Sequence, residues 1–201
     1  DLVHADNWAD TSKAGVTARP GIIRATALTL MPQNPARYSV SAIQVAVGDR
    51  DPLIRRAAAE QIEMLDPAMR APLALPLLLD SVRTVRLAAL PALAGLPDSA
   101  WTDTQRDAFA RVLAEYRASQ LFNADRPESW ANLGNLDARL GEVTAAEGEF
   151  ARAVRLQPQF VPAYMQLAEL YRTSGREASA DSVLRLGLER VPANTDLQYQ
   201  L

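Results

Sequence analysis

The only histidine of the chain, His4, stands close to Asp6 and Asp10, and one imidazole with two carboxylates is a set able to hold a divalent metal. Nothing around these residues fixes a coordination geometry, so a solvated histidine is the favoured reading. Residue type closes most other routes to chemistry. With no cysteine, these residues offer no thiolate nucleophile, disulfide, CxxC zinc site or covalent haem attachment. No GxSxG, HExxH, P-loop or GxGxxG pattern occurs. The expectation is a non-enzymatic protein with no catalytic, cofactor-binding or metal-ligating residue.

A second group able to act chemically is a set of arginines in register. Ile23-Arg24, Ile54-Arg55 and Val85-Arg86 recur at steps of 31 residues, followed by Ala27, Ala58 and Ala89, then Met31, Ile62 and Leu93. Such a ladder could bind an anion. Alternatively, each guanidinium could tie to an acid or helix end of a neighbouring repeat, such as Asp51 or Asp80, and one-dimensional stacking of repeats favours this structural reading. The middle copy opens Asp51-Pro52, a helix cap followed by a first-turn proline. The motif D-P-x-(V/I)-R-x-x-A resembles the second helix of short HEAT repeats. Residues 35–48 and 66–80 are apolar enough to be the partner helices, with Pro76 and Pro91 as interruptions.

The final third carries a tighter period. Trp130 and Tyr164, Leu133 and Leu167, Gly141 and Gly175, Phe150 and Leu184, and Pro158 and Pro192 all lie 34 residues apart. Leu133 and Leu140 share a face of one expected helix, while Ala146, Phe150, Ala153 and Val154 share a face of the next. Small residues at Gly134, Ala146 and Ala153 permit close backbone approach. Gly141 and Gly175 suit left-handed helix ends, and Pro158 and Pro192 close the second helices. This pattern resembles the tetratricopeptide repeat. Two positions depart from it: Asp137 stands where the family prefers an aromatic, and Gly187 replaces a small alanine. Asn194 to Leu201 reads as the opening of a third copy, with Leu201 at the leucine position, so the array is expected to continue.

The expected fold is all-α, an α-solenoid of antiparallel helix pairs. Its parts are an N-terminal extension at 1–19, HEAT-like repeats at 20–97, a linker turn and bridging helix at 98–126, and tetratricopeptide repeats at 127–201. The bridging helix, capped by Thr102 or Asp103, carries Phe109, Val112, Leu113, Tyr116 and Leu121 as apolar positions and would join the arrays.

The 201 residues suffice for a buried core, and 48% hydrophobic with 22% charged residues is ordinary for a globular protein. A net charge of −3 provides no basic field for nucleic acid or anionic lipid. No apolar run reaches the ~18–20 residues of a membrane span, so a soluble protein without direct membrane insertion is expected. Of 21 basic residues only Lys13 is lysine, which with the abundant alanine suggests a high-GC bacterial genome. A start at Asp1 reads as a processed protein or part of a longer one.

The tetratricopeptide resemblance implies a concave groove for a protein or peptide partner, with Asn132, Asn135, Arg139, Met165, Gln166, Glu169 and Arg172 among its inward residues. Asn135 stands where peptide-binding members grip a backbone. The basic set that clamps a terminal carboxylate in chaperone-binding members is not reproduced, which disfavours that ligand. The leading expectation is an interaction or assembly module. The order of the two arrays is also similar to the C-terminal tail of bacterial multihaem c-type cytochromes, which implies a periplasmic complex subunit. A looser resemblance is to HEAT-type lyases that bind a tetrapyrrole.

Overall fold

Arg55 anchors the first half of the chain, and the reason is its fork of donors. In the computed structural model, which describes residues 20–30, 37–99 and 101–201, every regular element among them is helical. The first helices are α1 (Gly21–Thr29), α2 (Arg37–Ala46), α3 (Pro52–Ile62), α4 (Pro67–Ala74) and α5 (Arg83–Ala89), with a 3₁₀ turn at Pro76–Leu79. Asp51 caps α3 by accepting from the Leu53 N–H at 2.9 Å, with Pro52 in the first turn as expected. Helix α3 is the hub, packed by α1, α2, α4 and α5. Ile54, Ala58 and Ile62, at helical spacing, are fully buried there, and Val85, Ala89 and Leu93 repeat the pattern one copy later. The first copy departs: Ile23 is 41% exposed, because α1 packs on α3 through Ala27 and Leu28 instead.

Arginines of this array meet carboxylates, as the structural reading expects. Arg55 grips Asp80 through two donors, Nε to Oδ2 at 2.6 Å and Nη2 to Oδ1 at 2.9 Å, while Nη1 caps the Asp49 and Arg50 carbonyls. Arg86 repeats this with the Asp80 and Ser81 carbonyls and the Glu115 carboxylate. Arg24 pairs with Asp49 at 2.5 Å, and Asp51 caps α3 with its Oδ1. The hydrogen bond from Arg55 holds the Asp80 carboxyl below its usual range. Pro91 falls just beyond the end of α5, where the chain turns, so it interrupts no helix.

Helix α6 (Asp103–Phe122) starts at a reciprocal cap in which Thr102 N–H donates to the Gln105 side chain and Gln105 N–H to the Thr102 hydroxyl. The described residues form two compact units, and the division falls within α6, between Glu115 and Tyr116.

The second unit holds the end of α6, then α7 (Pro127–Arg139), α8 (Val143–Leu156), α9 (Val161–Thr173), α10 (Glu177–Arg190) and α11 (Thr195–Gln200). Contacts recur here at an offset of 34 residues. Trp130 Nε1 donates to the Ala124 carbonyl and the Tyr164 hydroxyl to the Pro158 carbonyl, at 2.8 and 2.9 Å. Gly141 and Gly175 hold φ of +81° and +72°, values that suit glycine. After each, the chain turns back, Glu142 N–H bonding the Asp137 carbonyl and Arg176 N–H that of Tyr171. Short turns make α7–α8 and α9–α10 helical hairpins, and α8 packs on α9 to join them. In the last copy the buried leucine is Leu197 rather than Leu201, which lies beyond the end of α11.

The tightest seam is between α7 and α8. A Cβ placed on Gly134 would lie 2.6 Å from the Phe150 ring, so only glycine fits without displacing it. Gly134→Ala is therefore expected to lower stability by about 1–3 kcal/mol in urea titration. Removal of the half-buried Asp80 carboxylate by Asp80→Ala is expected to cost roughly 1–3 kcal/mol, between the values for exposed and fully buried pairs. Because Asp80 titrates below its ordinary value, that loss should be seen at neutral pH and shrink as the wild type is acidified through the native Asp80 titration.

Candidate functional site

Residues three and four apart on a helix share a face, and this places Asn135, Ala138 and Arg139 of α7 beside Gln166, Glu169 and Thr173 of α9. Together they rim a concavity of about 420 Å³. Its floor is apolar, from Phe150, which is 1% exposed, and Leu170. The polar rim carries one acid, Glu169, and one base, Arg139, at its exposed edge. Thr173 gives its hydroxyl proton to the Glu169 and Leu170 carbonyls and keeps its lone pairs for an incoming donor. Gln166 Oε1 is buried and has no hydrogen-bond partner. An unpaired buried acceptor of this kind carries a desolvation cost that a suitable donor would relieve.

Four of the seven residues expected from the sequence, Asn135, Arg139, Gln166 and Glu169, line this concavity. The other three stand elsewhere. Asn132 is exposed and donates to the Gln120 side chain at 3.2 Å. Met165 is partly buried against the cluster of Tyr164, Ala168, Leu184 and Leu197. Arg172 donates to the Gln200 side chain at 2.8 Å and to its carbonyl, which pins α11 to α9. His4, Asp6 and Asp10 lie outside the described residues. Among the described residues no group of three or more His, Cys, Asp or Glu side chains could hold a metal, and no helix is long and apolar enough to cross a membrane.

A cluster of buried charge was not anticipated. Asp137 is 1% exposed, and its Oδ1 accepts from Arg117 Nη2 at 2.5 Å. Glu149 of α8 is hydrogen-bonded to the Asp137 carboxyl. Burial, then the neighbouring Asp137 charge, pushes Glu149 up to about 7, and burial raises Asp137 as well. At the position 34 residues on stands Tyr171, whose hydroxyl donates to Glu147 at 2.8 Å while Arg176 stacks on its ring and bonds the same carboxylate. The signal in the sequence was Asp137 itself, the one acid in an aromatic position.

No family model matches the chain, and no curated protein matches it. The geometry combines an apolar floor, amide and hydroxyl groups on two facing helices, and a buried acceptor without a donor.

Because Gln166 Oε1 is unpaired, Gln166→Leu is expected to leave the stability of the free chain unchanged or raise it by up to about 1 kcal/mol. Thermal unfolding of the two proteins side by side checks this.

Proposed function

We propose that this chain is a non-enzymatic interaction module of tandem helix pairs, and that the concavity between α7 and α9 receives an extended segment of a partner protein. The observation that carries this reading is Gln166 Oε1, a buried acceptor on a groove wall without a donor of its own. An extended peptide supplies main-chain N–H groups as donors and carbonyls as acceptors. The Asn135 amide, beside it on the opposing helix, can answer both. Phe150 and Leu170 would take one apolar side chain, and Arg139 and Glu169 would select the charges flanking it. A volume of about 420 Å³ is within the ~300–1,000 Å³ range of ligand clefts and suits a few side chains rather than a broad domain surface.

In this reading the 34-residue equivalences are tetratricopeptide-like repeats over 127–201, and the arginine-pinned helices over 20–97 are HEAT-like, both belonging to an α-solenoid. Membership of a larger complex, and the periplasmic placement that goes with the cytochrome-tail resemblance, belong to the same proposal.

Selection of random displayed peptides on the full chain, followed by fluorescence polarisation of the recovered sequences, tests the groove. Asn135→Ala combined with Gln166→Leu should weaken binding at least ~10-fold, about 1.4 kcal/mol, whereas Asn132→Ala should leave it unchanged. Equal affinity for the double variant and the wild type would reject the groove as the site.

A further inference from the structure

We propose that Asp137 and Glu149 share one proton beneath the Arg117 guanidinium, forming a pH-operated latch between α7 and α8. The geometry is that of a partly satisfied buried network. Arg117 reaches Asp137 with one nitrogen at 2.5 Å, while Arg117 Nε is buried without a partner and, with both acids ionised, so are Asp137 Oδ2 and Glu149 Oε2. Two carboxylates here would face one guanidinium, and low polarity makes an uncompensated charge costly. A proton on Glu149, donated to the Asp137 carboxylate, leaves the cluster with one negative and one positive charge and satisfies both contacting oxygens.

Other charges nearby do not relieve the pair. Glu142, in the α7–α8 turn, adds further negative potential at Asp137. On α8, Glu147 is held by Tyr171 and Arg176, and Arg152 lies over the Trp130 ring. From α9, Glu169 rims the concavity and Arg172 binds Gln200. Arg117 is thus the cation that acts on both carboxyls.

The two acids differ in what they do when the proton leaves. Asp137 is enclosed and keeps Arg117, whereas Glu149 is only half-buried and can turn to water. Loss of the proton therefore expels Glu149 from the seam between α7 and α8, while Arg117 keeps Asp137. The folded state holds this proton more tightly than an unfolded chain, whose glutamates titrate near 4.5. Its stabilisation is complete below that value and is lost as pH rises through about 7.

The full chain, titrated with urea at pH 6 and pH 8, provides the test. For a native titration near 7 the pair should lower the folding equilibrium constant roughly tenfold over that interval. Glu149→Gln, which keeps the amide in the protonated shape, should remove this difference, and Glu142→Gln should retain it. An unchanged pH dependence in Glu149→Gln overturns the latch. Infrared difference spectra of the wild type supply a readout that needs no variant. A protonated-carboxyl band present at pH 6 and gone at pH 8 is expected, and its absence at pH 6 overturns the proposal.

Discussion

Phe150 lies against the backbone of α7 at Gly134, leaving no space for a Cβ between ring and helix. This contact sets how near the two helices of the first hairpin come, and most features of the second unit follow from it. The ring becomes the floor of the concavity. Asn135, next to the glycine, is then carried to the rim, while Asp137 is driven into the seam where Glu149 waits on α8. A larger separation would remove the floor and admit water to the acids. The second hairpin solves the same problem differently: Gly187, on α10, lets Tyr164 and Leu197 close over it at distances of 3.0–3.1 Å from where a Cβ would stand.

The two hairpins agree where the chain must turn or be pinned and diverge where neighbours differ. The aromatic tips of Trp130 and Tyr164 bond carbonyls six residues back, and the paired glycines end the first helices in the same way. Asp137 and Tyr171 occupy one position yet bind opposite partners, an arginine on α6 and a glutamate on α8. Each choice answers the polarity of the preceding helix. A carboxylate is stabilised by Arg117, whereas a phenol donates to Glu147, which Arg176 also holds. The position is therefore where each pair records what lies beside it.

In the first unit, charge rather than close packing is what recurs at the 31-residue step. Arg55 and Arg86 each satisfy two carbonyls at the entry to their own helices and one carboxylate further along the chain, Asp80 or Glu115. One side chain thus caps backbone and ties neighbours at once, which a lysine, with no planar fork, would do less well. These arginines are committed to acids and carbonyls of the chain itself.

Local chemistry was legible from the residues alone. Periodic apolar faces, Asp51 and Thr102 as caps, and glycines at 141 and 175 each depend on positions a few residues apart, and the helices they imply are present. The rim residues Asn135, Arg139, Gln166 and Glu169 were expected only through the tetratricopeptide resemblance, and they meet around one concavity from two helices, α7 and α9. Tertiary packing alone decided the rest. Met165 was drawn into the core of the second hairpin and Arg172 toward Gln200, since side-chain direction depends on what lies across the helix. That Arg24 meets Asp49 was likewise set by packing, since the two lie 25 residues apart. The proton-holding pair of Asp137 and Glu149 could not be read from spacing at all. Its acids are on different helices, and only burial beside Arg117 turns two ordinary carboxyls into one coupled group.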